Sequence, residues 1–539
     1  GFLFEFCKSY LEHARYLLAY GGGMNNWFQV ETCGLGVTAL LFPEFKESQR
    51  FIQCALRRLD WINRECFLPD GFQAEGSTAY HSFPVRGIGI LYEISKLLGI
   101  TLTPRLEKEY ERMMDLYVYM AQPDLTLPWL NDCSPAILSA VDAAHLASKL
   151  FPHRADFRFI ATRRQEGRPP DVTSFAFPYA GYYVLRDQWG EDGVYMVFDA
   201  GYYGSNHQHE DKLSFQLHAF GRMLIIDPSI YQYKLDEFEP YWRSSRGHNS
   251  VMIDGKGQNR RLLTAPEPRP DPDTVWIPAE GFDFALGWFK EGYATRTSGR
   301  LGSREADLAS LDKSLQHQRA IFYVKGEYFI LSDWIVGSGR HHVEQIFHLA
   351  PIIAVLNAEG VYAGSYATTP NNIVHTTDAG LANMAIIPLP DPRLLLRVET
   401  GKTDPVVGWT ALYKKCPSHD VTYAIDAELP LILTDVLYPQ RPGEGTLPVV
   451  TPLTVQASEA ATVTALNIRH GGYTDSFVLS HSGAQTIRWD GIEFHGRAAW
   501  LRRDDKGRLL KAVVIQAHLL RVHGQALLAV PKAQESYIV

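Results

Sequence analysis

The sequence predicts an α+β multidomain protein, with a helical front part, an antiparallel β-sandwich and a smaller β-sheet region at the C-terminal end. Three observations predict it. Apolar residues recur at helical spacing as far as about Leu150, and beyond Phe175 they fall into short alternating runs. The chain is also long, 539 residues with 46% apolar and 12% aromatic content, which supplies more than one core.

The helical part is placed at 1–165. Leu11, Ala14, Leu17 and Leu18 mark one apolar face, and Phe51, Cys54, Ala55, Leu59 and Ile62 mark another. Breaks at Gly21-Gly22-Gly23, Phe42-Pro43-Glu44, Pro69-Asp70-Gly71 and Thr101-Leu102-Thr103-Pro104 divide it into antiparallel hairpins. The Arg- and Pro-rich loop from Arg163 to Pro170 ends the pattern. The sandwich is placed at 175–435, on runs such as Gly181 to Arg186, Val194 to Asp199, Ala320 to Val324 and Tyr328 to Asp333. The smaller sheet, at 440–539, takes in Thr462 to Ile468, Ser476 to Ser480 and Ala512 to Ile515.

Composition narrows the function. A net charge of -8 without a compensating Lys/Arg block argues against nucleic acid as a partner. The six cysteines have no CxxC spacing and read as reduced, buried thiols. No apolar run approaches the length of a membrane span, and no leader pattern precedes the first helix.

The most informative stretch is Ser205 to Phe215, followed by Asp227 and by Arg246-Gly247-His248-Asn249-Ser250. On an extended chain His207 and His209 point to one side, because strand side chains alternate. Met223 to Ile226 runs apolar into Asp227, and His248 precedes the strand-like Ser250 to Ile253. His209, Asp227 and His248 form an N,O,N set that suits zinc or a similar divalent ion, with His207 left for chemistry. The other reading of the same residues is a hydrogen-bonded core without a metal. His317, His341, His342 and His348 read as structural histidines, and Asp333 as the close of a strand.

Two motifs in the helical part carry polar groups. Gly23 to Glu31 contains Asn25-Asn26-Trp27 at a helix start, where an Asn is also an ordinary cap. In Asp70 to His81, Ser77 or Thr78 caps a helix and puts Tyr80 and His81 in its first turn, where the dipole favours a phenolate. A helical Tyr is otherwise a packing residue.

Taken together these segments resemble the heparinase II/III family of polysaccharide lyases and their alginate-lyase relatives. The motifs are Asn25-Asn26-Trp27, Leu41 to Phe45, Asp70-Gly71 with Glu75 and Tyr80-His81, His207 to Asp211 with Ser214-Phe215, Asp227, and His248 to Val251 with Asp254-Gly255. The resemblance implies an incomplete (α/α) toroid followed by an antiparallel β-sandwich, with the active site in the cleft between them. It implies β-elimination on a uronic-acid polymer, either a glycosaminoglycan or alginate. Asn26, Tyr80 and His207 are then catalytic. Asn26 stabilises the charge on the uronate carboxylate, His207 is the base for one C5 epimer, and Tyr80 is the acid that also serves as base for the other. Trp27, Glu31, Glu75, His81, Arg243 and Arg246 are expected around the substrate, the last three as cations near Tyr80. His209, Asp227 and His248 hold one structural divalent metal, zinc first, with manganese or calcium as alternatives. A periplasmic or secreted location and a monomer or homodimer complete the expectation.

The sequence departs from the family pattern in two ways. Trp27 stands where several relatives carry His, which replaces a cation with a ring able to stack on a sugar. The Asn motif arrives near residue 26, earlier than in family members, and an open cleft that favours internal cleavage is expected. The acidic balance of the chain favours weakly sulfated glycosaminoglycan or alginate over heparin. Two other classes compete with the lyase. A glycoside hydrolase would need Glu31 and Glu75 as its carboxylate pair, and a non-catalytic glycan-binding protein would bind without turnover.

Overall fold

The computed structural model describes residues 1–22, 26–133, 139–202, 207–230, 236–259, 269–295, 308–353, 361–411 and 415–538. Eight helices come first among them: α1 (Phe2–Ala19), α2 (Asn26–Leu41), α3 (Ser48–Glu65), α4 (Thr78–Leu97), α5 (Pro104–Met114), α6 (Leu116–Tyr119), α7 (Ala140–Leu150) and α8 (Ala155–Ala161). Their ends fall where the breakers stand. Ser77 caps α4 by accepting the Tyr80 backbone N–H at 3.3 Å, and Thr103 caps α5, with Pro104 in its first turn.

The β region holds two large sheets. Among the described residues, strands between Phe175 and Gln440 form one fifteen-stranded network, and strands from Val449 onward form a nine-stranded sheet. The large network turns on two antiparallel strands of 22 residues, Tyr328–Leu349 and His419–Gln440. Phe329 lies opposite Leu437 and Leu349 opposite His419, with a bulge between Ile335 and Gly339. Alternate residues enter different cores. Ile321, Tyr323, Phe329 and Leu331 face one, while Phe322, Val324, Tyr328 and Ile330 pack with Phe477 and Trp500 of the second sheet. This two-sided burial explains why the runs are continuously apolar.

The helices and the large network share a core. Phe72, Ile88, Tyr110 and Leu127 pack with Phe177, Tyr182, Val184 and Tyr195 in one cluster. The carboxylate of Asp70 accepts the backbone N–H groups of Tyr179 and Ala180 at 2.8 and 3.0 Å, joining the two parts at the Pro69-Asp70-Gly71 turn. A junction of this kind holds groups from both parts in fixed relation.

Two expectations change. The segment from His207 to His209 is turn and coil rather than strand, so the two imidazoles meet for another reason, given below. Asp333 lies inside the Tyr328–Leu349 strand and closes nothing. It is fully buried and takes a bidentate pair from Arg319, Nε to Oδ1 and Nη2 to Oδ2, both at 2.7 Å. All six cysteines are free, and Cys33, Cys66, Cys133 and Cys416 are buried. No helix among the described residues is long and apolar enough to cross a membrane.

Candidate active site between the helices and the sandwich

The centre of the site is a residue that the sequence reading missed. Asp132 lies in the turn after Leu130 and is fully buried. Its Oδ2 bonds His207 Nδ1 at 2.7 Å and accepts Arg243 Nη2 at 2.9 Å, and its Oδ1 bonds His209 Nε2 at 2.8 Å. One carboxylate therefore gathers both histidines. Burial alone would raise the Asp132 carboxyl, but His207, His209 and Arg243 together hold it well below the ordinary carboxylate range.

Backbone bonds fix this turn against the histidine segment. The Asp132 N–H donates to the His207 carbonyl at 3.1 Å. Asn131, at φ 61°, accepts the His209 N–H on Oδ1 at 2.8 Å and donates from Nδ2 to the Gly76 carbonyl at 2.9 Å. Asn is among the few side-chain-bearing residues that adopt this left-handed conformation readily.

Tyr80 comes to the same place from α4. Its ring stacks on His207, centroids 3.6 Å apart and planes 15° apart. The Tyr80 ring is half-buried, and the His207 side chain is 20% exposed, so both are reachable from the cleft. Asn26 opens α2, near Glu75, whose carboxyl feels the charge of His207. Trp27, next to it, is 72% exposed. The structure thus brings Asn26, Glu75, Tyr80, His207 and Arg243 into one neighbourhood.

Of the other expected substrate residues, His81 sits elsewhere. His81 is in the core: its Nδ1 accepts the Gln73 N–H at 3.2 Å, and its Nε2 bonds the Met113 carbonyl at 3.0 Å. Burial pushes this imidazole down to about 3, so it is no cation beside Tyr80. The reason is helical geometry, since one residue rotates the side chain by about 100° and His81 turns in against Phe67, Phe72 and Tyr117. Glu31 accepts the Gly22 N–H at 3.3 Å. Arg246 pairs with Glu344, which also takes Arg397. With Arg243, Gln208, Glu210, Tyr241 and Gln258, Arg246 lines a cavity of about 320 Å³.

Behind His207 lies the expected metal set. Ligand-capable atoms of His209, Asp227 and His248 all lie within 4.8 Å of one another, and the three residues are buried. Asp227 Oδ2 bonds His248 Nδ1 at 2.7 Å, while His209 Nδ1 and His248 Nε2 have no hydrogen-bond partner among the described residues. Each imidazole gives one nitrogen to a carboxylate and keeps the other bare, which is how metal-ligating histidines are commonly oriented. Burial lowers His209 despite Asp132, whereas on His248 the Asp227 charge overcomes burial and raises it. These residues fit a divalent ion of the zinc kind.

A helical part shares a core with an antiparallel sandwich, and a phenol and a carboxylate-anchored imidazole meet at their junction. The chain belongs to the heparinase II/III-like family. Residues 1–159 match the heparinase II/III N-terminus and residues 169–401 the heparinase II/III-like C-terminal region. Among curated relatives, a heparin-sulfate lyase of Bacteroides stercoris is 26% identical over 351 residues, covering 63% of this chain and 48% of the relative. That of Pedobacter heparinus is 25% identical over 354 residues, covering 62% and 48%. The chain thus spans about half the length of these relatives. A mutant of the heparan sulfate lyase HepC from Pedobacter heparinus has the same fold, with a TM-score of 0.70 at 20% identity over 89% of this chain and 70% of that one.

Proposed function

We propose that this chain is a lyase that cleaves a uronic-acid-containing glycosaminoglycan by β-elimination. The observation that carries the reading is the stack of Tyr80 on His207, with His207 anchored through Nδ1 on Asp132. The curated relatives are named as heparin-sulfate lyases, which supports a heparan-type polymer as substrate. The acidic balance of the chain favours a weakly sulfated one.

The chemistry follows from the groups present. Asn26 donates its amide to the uronate carboxylate and stabilises the charge that builds there as the C5 proton leaves. His207, with Nδ1 held by Asp132, takes that proton on Nε2. The C4–O bond breaks as the C4=C5 double bond forms, and the Tyr80 phenol gives its proton to the departing oxygen. For the other C5 epimer Tyr80, as the phenolate, takes the C5 proton and passes it to the departing C4 oxygen. Trp27 stacks on a neighbouring sugar ring. The helices are read as part of an (α/α) toroid, whose open side receives the polymer.

A two-carboxylate hydrolase is less well served. Glu75 is buried and Glu31 is bonded at Gly22, so neither stands out in the cleft as a solvated acid or base. Incubation with heparan sulfate, heparin, chondroitin, hyaluronan and alginate is expected to give the ultraviolet absorbance of a 4,5-unsaturated uronate on heparan sulfate first. Tyr80→Phe and His207→Ala should each lower kcat by on the order of 10²–10⁴-fold while binding persists. New reducing ends without that absorbance would establish a hydrolase instead, and binding without turnover a glycan-binding protein.

The same proposal gives His209, Asp227 and His248 one structural zinc. When bound, the ion supplies positive charge that fixes the three side chains, and elimination by Tyr80 and His207 proceeds on the protein's own groups. Zinc added to chelator-treated protein should raise Tm and bind one ion per chain by calorimetry. His248→Ala should bind none. An unchanged Tm with no heat of binding would remove the metal from the proposal.

A further inference from the structure

Tyr80 comes from α4 and His207 from a turn, yet their rings stack with centroids 3.6 Å apart. The backbone behind each ring meets at one residue, Asn131. Its Oδ1 accepts the His209 N–H at 2.8 Å, two residues beyond His207. Its Nδ2 donates to the Gly76 carbonyl at 2.9 Å and to the Tyr182 hydroxyl at 2.8 Å, and that hydroxyl also donates to Gly76, at 2.6 Å. Gly76 directly precedes Ser77, the cap of the helix that carries Tyr80. The next residue closes the frame: the Asp132 N–H donates to the His207 carbonyl at 3.1 Å, and the Asp132 carbonyl accepts the Ser77 hydroxyl at 2.7 Å. A Cβ on Gly76 would stand 2.4 Å from Gln208 Nε2, so the two segments are already in contact.

The position admits few side chains. A backbone N–H faces one end of the Asn131 amide and a carbonyl the other, so the group between them must accept and donate at once. A carboxylate cannot donate, and a Gln amide sits one methylene too far. The backbone φ of 61° selects further, since Asn adopts the left-handed region far more readily than most residues with a side chain. We propose that Asn131 is a positioning residue that sets the spacing of His207 against Tyr80, while its neighbour Asp132 sets the orientation of the imidazole. The kinetic consequence rests on the lyase reading, and the structural one stands on the fold alone. The two roles are physically distinct. Asp132 bonds the His207 ring at Nδ1, whereas Asn131 bonds the main chain of both segments and moves the base as a body. Asn131 and Gly76 are both buried, so water is not on hand to replace a lost bond.

The test combines Asn131→Gly, Asn131→Asp and Tyr182→Phe. Asn131→Gly keeps the backbone conformation and removes both bonds. It should lower kcat by about 10²-fold, the scale of a small misplacement of a reacting group, with KM within about threefold of the parent. Asn131→Asp keeps the acceptor for His209 but loses the donor to Gly76, and should fall within about threefold of Asn131→Gly. Tyr182→Phe controls for stability, because it takes a hydroxyl from the same network and leaves Asn131 bonded to His209 and Gly76. It should lower Tm while kcat stays within about threefold of the parent. The spacing is read without activity by NMR of protein carrying ring-labelled histidine, with the His207 signal assigned by its absence in His207→Ala. The ring-current shift of a stacked imidazole should be present in the parent and in Tyr80→Phe, and largely lost in Asn131→Gly. Should Asn131→Gly fail to fold, Asn131→Asp carries both readouts. A parental kcat in the Asn131 variants, a loss confined to KM, a Tyr182→Phe as inactive as they are, or an unmoved ring-current shift would each overturn the positioning role. If the parent produces no unsaturated uronate from any polymer, the lyase reading fails, and the ring-current shift alone decides the role of Asn131.

Discussion

Asp132→Asn is expected to lower kcat by on the order of 10³–10⁴-fold, the scale seen when a carboxylate that orients a catalytic imidazole becomes an amide. The carboxylate has two oxygens and, among the described residues, bonds His207, His209 and Arg243. An Asn side chain keeps one acceptor oxygen, and its NH2 group turns a donor toward whichever of His207, His209 or Arg243 it faces. His207 can then settle in the tautomer that carries its proton on Nε2, which is useless for taking one from C5. The loss should appear in kcat far more than in KM. Metal affinity should fall as well, by about 10–100-fold, because His209 loses the group that orients its ring. Stability should drop by about 3 kcal/mol, the lower end for breaking a buried pair, since Arg243 keeps Glu239 at 3.1 Å. The pH dependence has a definite sign. A carboxyl held below its unfolded value stabilises the fold above about pH 4, and the contribution is lost as pH falls through the folded value. The gap between parent and variant in denaturant unfolding should therefore close as the medium is made acid. A variant with kcat within tenfold of the parent would remove Asp132 from the mechanism.

Much of the fold could be read from the sequence because its signals are local. Thr103-Pro104 starts α5 by supplying a cap and a residue with no N–H to lose, and the alternation in Ala320 to Val324 divides its side chains between two cores. Of the candidate site, Tyr80 and His207, singled out in the sequence by the resemblance, lie ring on ring. Asp132 was not legible, because it lies 75 residues before His207 and works only through the junction of the two parts. The faint signal was the polar pair Asn131-Asp132 closing the apolar run Leu127 to Leu130. His81 misled for the opposite reason, since adjacency to Tyr80 in sequence is divergence on a helix. Asp333 could have been placed. The turn at Lys325-Gly326-Glu327 makes Val324 and Tyr328 partners, and counting back along this hairpin sets Arg319 opposite Asp333.

That pair gives the second large effect. Arg319→Met is expected to cost about 3–5 kcal/mol, because it leaves the Asp333 carboxylate buried without its guanidinium. His317 Nε2 at 2.8 Å and Gln345 Nε2 at 2.9 Å remain, and neither supplies a permanent charge. Arg319 also donates Nη1 to the carbonyls of Leu213 and Asn249, at 2.7 and 2.5 Å. Those two residues follow His207-Gln208-His209 and His248, so the guanidinium pins both histidine segments from beneath. The variant should thus lose kcat at temperatures where it is still fully folded, which separates positioning from mere destabilisation. The neighbouring Asp435 sharpens the prediction. Burial, reinforced by the Asp333 charge, pushes its carboxyl up to about 7, so its contribution to stability is complete below about pH 4 and is lost as pH rises toward 7. Without Arg319 both carboxyls become harder to ionise, and the deficit of the variant should widen between pH 5 and pH 8. Removing the carboxylate too, as Arg319→Met with Asp333→Leu, should recover part of the stability and little of the activity, since the two carbonyls still lack their donor. Urea unfolding followed by circular dichroism at the two pH values, with kcat measured well below the transition, decides it. A single variant within about 1 kcal/mol of the parent at pH 8 would show that the pair contributes little to stability.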